Sequence, residues 1–98
     1  MESYLSDESG FVKLLLETDY AQQIALLRTI TDNQVKALCE IAYNLPKLSD
    51  LGSHQQFISY LGDQKHTTRY KKSIIKKHAT RLLRALVAVK DKLLELLK

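Results

Sequence analysis

Eight cations and no acid lie between residues 65 and 84: Lys65, Arg69, Lys71, Lys72, Lys76, Lys77, Arg81 and Arg84. At about 100° per residue, Arg69, Lys72, Lys76, Lys77, Arg81 and Arg84 fall on one side of a helix. Lys71 is the exception and falls near the apolar edge. A cationic face of one sign neutralises phosphates and gains from the counterions they release. A merely solvated face usually mixes signs. Lys65 and the six residues of that face are therefore the candidate binding set, and the expected ligand is nucleic acid or another polyanion. Tyr70 borders the tract. One aromatic is not a stacking platform, so Tyr70 is expected to pack on the core rather than on a base.

Other chemistry finds no foothold. His54, His66 and His78 are spaced twelve residues apart, without Cys, His or paired carboxylates at metal-ligand spacing. The three glycines stand far apart, so no phosphate-cradling loop is present. No nucleophile–base pairing can be argued. The expectation is a protein that is not an enzyme and has no cofactor and no metal. Cys39 is alone, which excludes an intramolecular disulfide. Its setting, Val35-Lys36-Ala37-Leu38-Cys39-Glu40-Ile41-Ala42, reads as a buried small hydrophobe rather than a reactive thiol.

The elements that must position these groups are helical. Three glycines and one proline in 98 residues leave little turn chemistry for an all-β fold. An apolar share of 45% and a charged share of 27% suit one globular domain spanning 1–98. Charge divides it. Residues 1–64 hold four basic and nine acidic residues, net −5; residues 65–98 hold eleven basic and two acidic, net +9. That asymmetry points to an anionic partner for the basic part. No apolar run approaches the roughly 20 residues that span a bilayer, and Met1-Glu2-Ser3-Tyr4 does not resemble the start of a signal peptide. An intracellular setting without membrane is the expectation.

Along the chain, Phe11, Leu14, Leu15 and Leu16 give an apolar stripe for a helix over 9–17, capped by Ser6 or Ser9. Thr18 reads as the N-cap of a helix over 19–28, with Tyr20, Ile24 and Leu27 on one face. Thr31-Asp32-Asn33-Gln34 reads as a capping box. The helix it opens carries Val35, Leu38, Ile41, Ala42 and Leu45 inward, and Pro46 should stop it near Asn44. Residues 47–52 read as a loop. Ser53-His54-Gln55-Gln56 repeats the capping pattern and opens a helix through Leu61, with Phe57, Ile58 and Leu61 inward and Gly62 in a left-handed cap.

From Thr67 or Thr68 to Lys98 there is no Gly and no Pro. Ile75, Ala79, Leu82, Leu86, Val89, Leu93 and Leu96 repeat at alternating spacings of four and three, a heptad seam. Leu83, Leu94 and Leu97 widen it, as for a helix lying on a globular core. Some 30 residues would reach roughly 45 Å. That is long for the domain, so a bend near His78-Ala79-Thr80 is expected. The amphipathic end, residues 90–98, suits packing on its own core first. A homo-oligomer through Leu82, Leu86, Val89, Leu93 and Leu96 comes second. Membrane binding is disfavoured by the acids on its polar face.

Thr31-Asp32-Asn33-Gln34-Val35-Lys36-Ala37-Leu38-Cys39-Glu40-Ile41-Ala42-Tyr43-Asn44-Leu45, followed by a loop and Arg69-Tyr70-Lys71-Lys72, resembles a family of short basic open reading frames of adintoviruses, the Maverick or Polinton-type DNA elements of animals. The resemblance covers residues 30 to 97. It implies a viral or transposon-encoded protein, nuclear or virion-internal, and identifies no catalytic residue. Family members usually carry more Lys and Arg after that tract, where this chain is mostly apolar from Leu82 to Val89.

The expected fold is therefore all-α: a compact bundle of four to five helices with a long basic amphipathic C-terminal helix. The expected function is a structural protein that binds nucleic acid, DNA first, through backbone phosphate. The alternative is a helical protein–protein interaction module, death-fold-like or self-assembling, in which the acidic face of one copy docks on the basic helix of the next.

Overall fold

The computed structural model describes residues 4–48 and 52–97, without the side chains of residues 5, 45–48 and 96. Among the described residues the chain is all-helical and has no strand. Its α-helices are α1 (Tyr4–Asp7), α2 (Ser9–Glu17), α3 (Tyr20–Arg28), α4 (Asp32–Leu48), α5 (Gln55–Gly62), α6 (Thr68–Lys77), α7 (Ala79–Ala88) and α8 (Lys90–Leu96). A 3-10 turn, Gly52–His54, precedes α5.

The segment count exceeds the expected four to five chiefly because the C-terminal helix is not one rod. It breaks at His78 (φ −117°, ψ 38°) and at Val89 (φ −119°, ψ 19°). The hydrogen-bond ladder passes through the first break, with His78 N–H donating to Ile74 O at 2.9 Å and Leu82 N–H to His78 O at 3.0 Å. At the second it tightens, Val89 N–H donating to Leu86 O at 3.2 Å. Packing gives the reason. A straight helix of 30 residues would reach about 45 Å, whereas the molecule measures 31 × 29 × 29 Å. The two bends fold the seam around one core. The expected bend near His78 is present; the one at Val89 has no Gly or Pro to signal it.

α4 is central and packs against α1, α5 and α6, while α7 packs against α3, α5 and α6. Val35, Leu38, Ile41 and Ala42 of α4 meet Phe57, Ile58 and Leu61 of α5 in the core. Ile75, Ala79, Leu82, Leu83, Leu86, Val89 and Leu93 complete it. The seam is therefore already covered. Leu82, Leu86, Val89 and Leu93 are buried by this chain itself, which removes them as a surface for a homo-oligomer. The side chain of Leu96 lies outside the described residues.

Local chemistry corrects several expectations. The α3 cap is Asp19, whose carboxylate accepts from Gln22 N–H at 2.9 Å, rather than Thr18. α2 begins after Glu8 with no side-chain cap, so neither Ser6 nor Ser9 serves. Val12 is buried in α2 and Leu14 is exposed, and Tyr20 is exposed on α3. The capping box of α4 forms as read: Thr31 N–H donates to Gln34 Oε1 at 2.9 Å, and Gln34 N–H to Thr31 Oγ1 at 3.2 Å.

α4 does not stop near Asn44. It runs through Pro46 to Leu48; the proline removes one amide donor, and the tertiary contacts of α4 carry the helix past it. That shortens the loop expected at 47–52, of which residues 49–51 lie outside the described residues. Ser53 caps nothing: it sits within the 3-10 turn, and His54 precedes α5 without a side-chain cap bond. Gly62 is not a left-handed cap, because Gly52 is the described glycine with positive φ (54°). Gly62 is needed for closeness instead. A Cβ there would stand 2.9 Å from the Tyr43 backbone, where α5 crosses α4.

Candidate polyanion-binding groove

The break at His78 sets cations of α6 and α7 side by side. α6 ends with Lys76 and Lys77, and α7 begins at Ala79 and carries Arg81 and Arg84 in its first two turns. Across from them, α3 presents Tyr20, Ile24 and Arg28 at i, i+4 and i+8, one helical face. A hydrogen bond of 2.6 Å between Tyr20 Oη and Thr80 Oγ1 ties the two walls together. Gln23 Nε2 donates to Leu15 O at 2.8 Å and pins α3 to α2. Ser53 and His54 of the 3-10 turn close one end.

The result is an open groove of about 790 Å³. Arg28, Lys76, Lys77, Arg81 and Arg84 line it, with His54 and His78, and no carboxylate lines it among the described residues. Arg81 is held in place by an aromatic ring: its guanidinium stands 4.9 Å from the Phe57 ring centroid. His78 meets the same ring edge-on at 6.2 Å. Five like charges on one groove repel one another, and an anion in the groove relieves that repulsion.

The seven residues of the sequence-derived set divide. Lys76, Lys77, Arg81 and Arg84 converge on the groove. Lys72 does not: its ammonium is 3.0 Å from Asp32 Oδ1, so much of its charge is already matched. Lys65 and Arg69 are exposed but lie outside the groove, flanking His66 and Tyr70. Sequence reading missed Arg28, which belongs to the acidic part of the chain and reaches the groove only because α3 packs against α7.

It missed an aromatic cluster as well. Tyr70 does not pack on the core but is 51% exposed. The centroids of Tyr60 and His66 are 4.2 Å apart, those of His66 and Tyr70 5.7 Å, and those of Tyr60 and Tyr70 6.2 Å. The Tyr60 phenol is pushed up to about 12, first by its hydrogen bond with Tyr70 and then by partial burial and the nearby Tyr70 and Asp63 charges. No spacing rule announces three rings brought together across the 63–67 loop.

Lys71, the exception on the helical wheel, is 6% exposed and points away from the groove. Beside it, Cys39 is half-buried rather than buried as expected; its thiol is pushed up by burial and pulled partly back by the Lys71 charge and hydrogen bond. Among the described residues no cluster of His, Cys, Asp and Glu could hold a metal ion, and no helix is long and apolar enough to cross a membrane.

No protein-family model, no curated protein and no solved structure matches this chain.

Proposed function

We propose that this protein is a nucleic-acid-binding structural protein that holds backbone phosphate, DNA first, in the groove between α3 and the α6–α7 break. The observation that carries the reading is the convergence of Arg28, Lys76, Lys77, Arg81 and Arg84 on one groove, with no carboxylate lining it among the described residues. Contacts of this type position a strand without reading base identity, which suits coating or packaging rather than operator recognition. The resemblance to adintovirus open reading frames would make the bound molecule a viral or transposon genome.

The test is equilibrium binding of duplex DNA across a series of salt concentrations. Each phosphate contact adds about 0.9 to the slope of log affinity against log salt. Replacing Lys76, Lys77, Arg81 and Arg84 by Gln should flatten that slope by about three to four units. No affinity of the wild type for DNA or RNA at about 50 mM salt, where phosphate contacts are strong, overturns the reading. If the Gln variant then dissociates an oligomer, the groove instead receives an acidic face of a second copy.

A further inference from the structure

The groove does not end at Arg81. A second hollow of about 340 Å³ is lined by Gln56, Phe57, Tyr60, Ile74, His78 and Arg81. It shares His78 and Arg81 with the basic groove and Tyr60 with the aromatic cluster. Cations, an apolar hollow and three rings thus adjoin in one track that runs from α3 and the α6–α7 break past α5 to the 63–67 loop. The ring end is chemically different from the groove end. Tyr70 leaves half its surface open, while the Asp63 carboxylate stands 3.9 Å from His66 Nε2. A phosphate against His66 would meet that carboxylate, whereas the face of a base would not. Lys65 and Arg69, both exposed beside the rings, suit the phosphates on either side of such a base.

We propose that the track takes a single strand of nucleic acid, with phosphates in the basic groove and a base stacked on the Tyr60–His66–Tyr70 cluster. This rests on the phosphate-binding reading and adds the strand type to it. In a duplex both faces of an internal base are occupied by its neighbours. A single strand offers free faces, and every base has one, so stacking tolerates any sequence. The cluster is preassembled by ring packing, with His66 lying against both Tyr60 and Tyr70, so its side chains lose little freedom on binding.

The experiment measures binding of the full chain to oligothymidylate, to oligouridylate and to a duplex, each of about 15 nucleotides or base pairs, a length that covers common single-strand site sizes. Wild type is compared with Tyr70→Ala, Tyr70→Phe and the four-Gln groove variant. Expected is tighter binding of both single strands than of the duplex. Tyr70→Ala should weaken the single strands by about 5- to 150-fold, the worth of one stacked base. Its salt slope and its duplex affinity should stay unchanged, and Tyr70→Phe, which keeps the ring, should restore binding. Thymidylate against uridylate separates a DNA from an RNA strand. Two results overturn the proposal: duplex binding as tight as single-strand binding, or a Tyr70→Ala variant that folds and binds single strands like wild type. Either leaves the groove reading standing, because that reading fails only when the four-Gln variant keeps its salt slope or the wild type binds nothing.

Discussion

Lys71 and Lys77 lie six residues apart on α6 and meet opposite surroundings. Lys77 stands in an open groove among like charges. Lys71 faces α4, nearly covered, beside Cys39. Residue type is the same, so the difference comes from what each side of the helix faces. On the core side the neighbours are packed close, and every atom added or removed is felt. On the groove side the neighbours are solvent and other cations, and long-range charge governs. A cation count along the chain cannot separate these two situations.

Removing the shared support of both sides should have the largest effect. Ile75 is fully buried between them on α6. Ile75→Ala should cost about 2–5 kcal/mol through lost transfer energy and the cavity left behind. Denaturant melts measure it. The four-Gln groove variant offers the contrast, since each exposed change should move stability by under about 0.5 kcal/mol. A groove variant that melts as early as Ile75→Ala would mean that these cations hold the fold rather than a ligand.

Next comes the close crossing of α5 on α4. Gly62→Ala places a Cβ 2.9 Å from the Tyr43 backbone, which has no flexible side chain to yield. Overpacking of this kind costs about 1–3 kcal/mol. Gly10→Ala is the control. A Cβ there meets nothing within 4 Å, and alanine in a helix should stabilise by about 0.5–1 kcal/mol. Equal melts for the two variants would remove close packing as the reason for Gly62.

The all-helical architecture was legible because helical spacing is a local signal. The Thr31–Gln34 box formed as read, and so did the inward faces of α4 at Val35, Leu38, Ile41 and Ala42 and of α5 at Phe57, Ile58 and Leu61, since three or four residues suffice to specify each; the Leu45 side chain lies outside the described residues. The seam of α6–α8 was legible as an apolar stripe but not as a bent one. The break at Val89 follows from the size of the core, which no stretch of sequence states. Pro46 misled because its local cost is outweighed by packing along α4. Of the candidate site, the four cations on α6–α7 were visible as one face of one helix. Arg28, the Tyr60–His66–Tyr70 cluster and the pairing of Lys72 with Asp32 were not, because each joins residues from different elements.

The Cys39–Lys71 pair predicts a smaller, pH-dependent effect. Burial holds the Cys39 thiol above its ordinary pKa, with Lys71 opposing. The unfolded chain then releases its thiol proton first as pH rises. Stability linked to Cys39 is complete below the free-thiol pKa of about 8.5 and falls as pH climbs from there toward the folded value. The melting temperature of wild type should therefore drop more between about pH 7.5 and 9.5, on either side of that pKa, than that of Cys39→Ala. Lys71→Met should slow thiol labelling of the native protein further, because the thiolate loses its cation. Faster labelling would mean that Lys71 shields the thiol rather than favouring its anion.

The smallest effect tests the comparison within the basic tract itself. Lys72 and Lys76 are one turn apart on α6, and both fall on the cationic side of the helical wheel. Lys76 lines the groove with no carboxylate beside it among the described residues, whereas the Lys72 ammonium is 3.0 Å from Asp32. Lys76→Gln should lower the duplex salt slope by about 0.9, one phosphate contact. Lys72→Gln should lower it by clearly less, since an ion pair already neutralises that charge and few counterions are released there. The pair itself is solvent-exposed and should contribute only about 0–1 kcal/mol to stability, so the fold stays constant across the comparison. Asp32→Asn completes the test by freeing Lys72 without removing it. If pairing is what silences Lys72, the Asn variant should bind DNA with a slope at least as steep as wild type, and adding Lys72→Gln to it should then cost more than Lys72→Gln costs alone. Equal losses for Lys72→Gln and Lys76→Gln in the wild-type background would show instead that the bound strand displaces Asp32, and that the face seen on the helical wheel, rather than the groove, defines the binding surface.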